Sequence, residues 1–101
     1  MSTIQSILKE EYDRLQRLLE RYERDLAKLP SGSISIKQRN NRKYAYRAYR
    51  ENDKVKTDYI GPVDSENVRE LEKLINKRKE LEKLIRTSRE RIVEIRKAIK
   101  K

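Results

Sequence analysis

The sequence predicts an α+β chain: a long antiparallel coiled-coil helical hairpin with a three-stranded antiparallel β-meander inserted between the helices. Apolar residues step by threes and fours along both terminal thirds, which is the period of a helix face. The middle third drops that period for short alternating runs rich in Tyr, Ile and Val, the habit of strands. Charged residues make up 44% of the chain, about twice the usual share, which suits long solvated helices over a compact multilayer fold.

The first element is expected over residues 3–29. Leu8, Tyr12, Leu15, Leu19, Tyr22, Leu26 and Leu29 form a heptad seam, and Tyr12 and Tyr22 belong to it as core. Ser2 with Gln5 forms a capping box, and Glu10/Arg14, Asp13/Arg17 and Glu20/Arg24 are acid-first i,i+4 pairs. Pro30 stops the helix, because the residue before a proline is pushed out of the α region.

A meander follows over residues 31–63, with strands expected at 33–39, 43–50 and 54–60. Asn40-Asn41-Arg42 and Glu51-Asn52-Asp53 separate them, and Gly61-Pro62 ends the last run. A three-residue first loop, with Asn41 left-handed, puts Ile34, Ile36, Tyr44, Tyr46, Ala48, Val55, Thr57 and Tyr59 on one face. Lys37, Arg39, Lys43, Arg47, Tyr49, Lys54 and Lys56 then share the other. A two-residue loop would move Ile34 and Ile36 to the basic face; the three-residue loop is the expectation.

The last helix is expected over residues 65–99. Leu71, Leu74, Arg78, Leu81, Ile85, Ser88, Ile92, Ile95 and Ile99 form its seam, broken by Arg78 and Ser88. Asp64 or Ser65 caps its start, and Glu66 complements the dipole. Arg78 snorkels outward, pairs with a facing Glu, or sets register as a polar seam residue. At 1.5 Å per residue the two helices run about 40 and 50 Å, lengths that call for a partner helix, and the chain is read as a single domain over 1–101.

Composition limits function. The absence of Cys and His removes disulfides, thiolate chemistry, the usual zinc ligands and the neutral-pH proton shuttle. The carboxylates are interleaved with Lys and Arg, and Gly32 and Gly61 stand singly, so neither an acid–base pocket nor a phosphate loop is indicated. The expectation is a non-enzyme without cofactor or metal. No apolar run exceeds three residues, which argues against membrane association and makes a cytoplasmic location the default.

The net charge of +10 points to a polyanion or an acidic protein surface as partner. Residues 1–30 are balanced, residues 31–63 hold eight basic against three acidic side chains, and residues 83–101 hold eight against two. The candidate binding residues are therefore Lys37, Arg39, Lys43, Arg47, Tyr49, Lys54 and Lys56, set either to meet phosphates and base edges or to keep a solvated sheet from aggregating. Arg86, Arg89, Arg96 and Lys97, with Arg91, Lys100 and Lys101, form a secondary basic patch, set either to track phosphates or to complement the helix dipole.

The stretch Leu29-Pro30-Ser31-Gly32-Ser33-Ile34, then Tyr44-Ala45-Tyr46 with Tyr49-Arg50, then Lys54-Val55-Lys56 and Tyr59-Ile60-Gly61-Pro62-Val63, resembles a family of small uncharacterised prokaryotic and phage proteins. Its layout is also similar to the arm-type DNA-binding domains of phage integrases, whose three-stranded sheets enter the major groove. The resemblance does not imply a recombinase activity; a small nucleic-acid-binding protein of a mobile element is the first expectation. Nucleic acid, DNA first, is thus the expected partner. A protein inhibitor or adaptor on an acidic, nucleic-acid-binding enzyme, such as a phage anti-defence protein, is the alternative. A structural homo-oligomeric coiled coil, with a homodimer through the helices, is the third reading.

Overall fold

The computed structural model describes residues 3–99, so Ser2 and its capping box, and Lys100 and Lys101, lie outside the described residues. The elements are α1 (Thr3–Ala27), β1 (Ser33–Arg39), β2 (Arg42–Glu51), β3 (Lys54–Pro62) and α2 (Glu66–Ile99). Two long helices flank a three-stranded antiparallel sheet of order β1-β2-β3, a helical hairpin with an inserted β-meander. No helix among the described residues is long and apolar enough to cross a membrane.

Helix α1 ends at Ala27, two residues short of the expected Leu29, with Lys28 N–H closing a turn on the Asp25 carbonyl at 3.2 Å. Past the proline, the chain turns at Gly32 with φ of 99°. A Cβ there would sit 2.1 Å from the Ala48 carbonyl oxygen, so both the backbone angle and the close approach to β2 require glycine.

The chain forms two compact units: residues 1–28 with 80–101, and residues 29–79. In the first, α1 and the second half of α2 run antiparallel. Leu15, Ile92 and Ile95 are buried together, with Leu8, Tyr12, Leu19 and Ile99 packed around them. Glu23 accepts from Arg89 Nη2 at 2.7 Å, and Arg96 Nη2 donates to the Tyr12 hydroxyl at 3.4 Å. The heptad expectation thus locates this interior, including Tyr12, and Ile85 and Ser88 are also buried.

In the second unit the buried apolar side chains are Ala45 of β2 and Val68 and Ile75 of α2. This part of α2 lays its stripe on the sheet, and the groove between them is lined by Ile34, Ile36, Ala45, Val68 and Ile75 among others. Leu74, expected in the seam, is 43% exposed: packing on a sheet selects the Val68–Leu71–Ile75 side and turns Leu74 outward. Arg78 donates from Nη1 to the Leu29 carbonyl at 2.9 Å. Ser65 stands at the N-cap position, its carbonyl accepting from Arg69 N–H at 3.3 Å.

The sheet register corrects the expected one. Arg39 pairs with Arg42, Ile36 with Ala45 and Ile34 with Arg47, so the first loop has two residues, Asn40-Asn41. Both have positive φ, 49° and 64°, as do Asn52 and Asp53 of the second turn, at 52° and 64°. Two left-handed residues in succession are the type I′ pattern, whose twist matches that of the flanking strands, and asparagine enters that region more readily than most residues. The three-residue loop fails because Asn40 also takes positive φ. Near the end of β3 a bulge shifts the pairing: Tyr46 meets Tyr59, whereas Ala45 meets Gly61. Pro62 is tolerated in the ladder because β3 is an edge strand.

Candidate nucleic-acid interface

Changing the loop by one residue moves β1 to the other side of the sheet. Ile34 and Ile36 share a face with Lys43, Ala45, Arg47 and Tyr49, and that face turns its apolar end toward α2. Its β3 members are Lys54, Lys56 and Asp58. The opposite, outer face carries Lys37 and Arg39 from β1, Arg42, Tyr44, Tyr46 and Arg50 from β2, and Val55, Thr57 and Tyr59 from β3.

The seven expected binding residues are therefore divided. Lys37 and Arg39 are outside, whereas Lys43, Arg47, Tyr49, Lys54 and Lys56 are on the α2-facing side. Tyr44, Tyr46 and Tyr59, expected on a face with Ile34 and Ile36, lie instead on the outer face with Lys37 and Arg39, and Tyr59 is 56% exposed. On the α2-facing side the fully buried position of β2 is held by the small Ala45, between Ile34, Ile36, Val68 and Ile75, while these three rings occupy the opposite face.

The two faces differ in charge. Both acidic residues of the strands, Glu51 and Asp58, lie on the α2-facing side. They engage their neighbours there, Lys56 Nζ lying 3.2 Å from Glu51. Partial burial and the Asp58 carboxylate together push the Tyr49 phenol above its ordinary pKa. Arg47 donates from Nε to the Ser31 carbonyl at 2.8 Å, and its guanidinium lies 4.2 Å from the Tyr49 ring centre. Arg47 and Tyr49 thus hold the turn that enters β1.

On the outer face Lys37, Arg39, Arg42 and Arg50 stand with no strand carboxylate. Three tyrosines cluster among them. The Tyr59 ring centre lies 5.4 Å from that of Tyr46, edge to face at 61°, and 6.2 Å from that of Tyr44, tilted by 55°. Lys37 Nζ lies 4.9 Å from the Tyr46 ring centre, a cation–π contact. Arg39, Asn40 and the three rings bound a shallow, open hollow. Sequence reasoning missed Arg42, Arg50 and the three tyrosines here; the Asn-Asn pair between alternating runs was the signal for the two-residue turn.

The secondary basic patch divides too. Arg89 and Arg96 bridge to α1 through Glu23 and Tyr12, and Arg96 lowers the Tyr12 phenol pKa by donating to it. Arg86 and Lys97 are exposed. Among the described residues, no group of three or more His, Cys, Asp or Glu is placed to hold a metal ion.

The fold and its surface define a class: a basic α+β chain whose meander presents an aromatic, cationic face opposite its helix. The chain belongs to the family described as Domain of unknown function (DUF6788), whose model matches residues 8–70, more than half of the sequence. The match takes in most of α1, the whole meander and the start of α2. Comparisons with the curated proteins and with the solved structures found no match.

Proposed function

We propose that this protein is a non-catalytic nucleic-acid-binding module that contacts its ligand through the outer face of the meander. The carrying observation is segregation: Lys37, Arg39, Arg42 and Arg50 share that face with three tyrosines, while the strand carboxylates lie on the other. Cations in such a row neutralise phosphates and release their counterions, while aromatic rings and hydroxyls meet bases and sugars. Arg39 and Arg42 stand directly opposite each other, an unfavourable like-charge pair that a phosphate between them would relieve.

DNA is the first ligand to try, on the resemblance of the strand pattern to the arm-type domains of phage integrases, and a mobile-element or phage setting rests on the same resemblance. The heptad spacing of the helices supports coiled-coil pairing as a handle. Exposed Leu84 and Val93 support a homodimer through the helices.

The test compares two double variants of equal charge change on opposite faces, Arg39→Glu with Arg42→Glu, and Lys54→Glu with Lys56→Glu. Binding of a labelled random-sequence oligonucleotide is followed by fluorescence anisotropy. The outer pair is expected to lose binding and the other pair to keep most of it. Loss only with the second pair would move the site to the α2-facing side. An unmodified chain that binds no nucleic acid at low salt would turn the reading to an acidic protein partner.

A further inference from the structure

We propose that the outer face takes single-stranded nucleic acid and stacks an unpaired base on the tyrosine cluster, in the hollow bounded by Arg39, Asn40, Tyr44, Tyr46 and Tyr59. This rests on the nucleic-acid reading and specifies its ligand. Three observations point the same way: the exposure of Tyr59, the shape of the hollow, and the order of residues along β2.

Tyr59 is 56% exposed although it touches two other tyrosines, and all three rings stand on a face without a covering helix. The tilted contacts do not cover one ring with another as a parallel stack would, and with Lys37 over the Tyr46 ring and Tyr44 half-buried, Tyr59 is the ring most open to a planar partner. A base in a duplex has both faces covered by its neighbours and shows only its edges in the grooves. An unpaired base offers a whole face, and every base has one.

The hollow is shallow, unlike the enclosed clefts that bury most of a small ligand's surface, and so suits a flat ring laid on from outside. Along β2 the outward side chains run Arg42, Tyr44, Tyr46, Ala48, Arg50, with a cation at each end and aromatics within. At about 3.4 Å per residue this row is about 27 Å long, enough for several nucleotides of an extended strand. Arg39 and Lys37 flank it on β1. A phosphate track beside a stacking platform is the arrangement by which single strands are held without sequence readout.

The experiment measures affinity of the full chain for an oligo-dT strand, its RNA counterpart and a duplex at one salt concentration. Tyr59→Leu and Tyr59→Phe are compared, with circular dichroism confirming their fold. The single strands are expected to bind at least about tenfold tighter than the duplex and to quench tyrosine fluorescence. Tyr59→Leu should lose roughly tenfold on single strands and little on duplex, as expected for one stacked base, while Tyr59→Phe keeps the affinity. The two single-stranded arms show which sugar is preferred, and preference for either supports the inference. Duplex affinity equal to or above that for single strands, with Tyr59→Leu unchanged, would overturn the stacking inference and leave the nucleic-acid reading standing. No binding to any of the three would overturn both.

Discussion

Arg39 and Arg42 face each other directly across the β1–β2 ladder, separated in sequence only by the Asn40-Asn41 turn. Like charges in this position oppose strand pairing, so Arg42→Thr is expected to raise the stability of the unliganded protein by about 0.2–1 kcal/mol. The same substitution should weaken oligonucleotide binding. Urea unfolding and anisotropy on one preparation check both halves; a variant that gains stability and keeps full affinity would show that Arg42 takes no part in binding.

Gly32→Ala tests the entry to the sheet. The new methyl would meet the Ala48 carbonyl oxygen at 2.1 Å, on a residue whose φ is 99°. Strain and clash together are expected to cost about 3 kcal/mol, read as a lower urea midpoint. An unchanged midpoint would mean that this turn relaxes without disturbing β2.

Ile92→Ala tests the interior of the helical unit. Ile92 is buried against Leu15 and Ile95, and its truncation is expected to cost about 2–5 kcal/mol. Ile7→Ala is the contrast: Ile7 is 59% exposed, and its loss should change stability by no more than about 0.5 kcal/mol.

Tyr49 supplies a pH dependence. Its phenol is held above the ordinary tyrosine value by partial burial and by the Asp58 carboxylate. A pKa raised on folding contributes stability that is present in full below the unfolded value, about 10, and is lost as pH rises through the folded value. The unmodified protein should therefore lose stability above about pH 10 more steeply than Tyr49→Phe, as read from denaturation midpoints along a pH series. Parallel decline of the two would remove the assigned role.

How much of this was legible in the sequence follows from which interactions are local. Helix period is written in the chain, so Leu8, Tyr12, Leu15, Leu19, Ile92 and Ile95 could be placed in an interior from spacing alone. The strand positions were legible for the same reason, from alternation and turn residues. Leu74 was misplaced because a heptad does not say whether a helix or a sheet lies opposite. The candidate site was only partly legible, since its composition depends on one backbone angle. With Asn40 left-handed as well as Asn41, Lys37 and Arg39 join Tyr44, Tyr46 and Tyr59 rather than Lys43 and Arg47. Side-chain period 2 makes any such one-residue error invert a whole strand.

The measurement that bears most directly on the central claim is the salt dependence of oligonucleotide binding, for the unmodified chain and for a variant with Lys37, Arg39, Arg42 and Arg50 changed to Gln. Engagement of all four cations by a single strand predicts a log–log slope near −3, at about −0.7 per neutralised phosphate, and a much flatter line for the variant. Equal slopes for the two proteins would contradict the account, because the counterions would then be released by cations elsewhere on the chain.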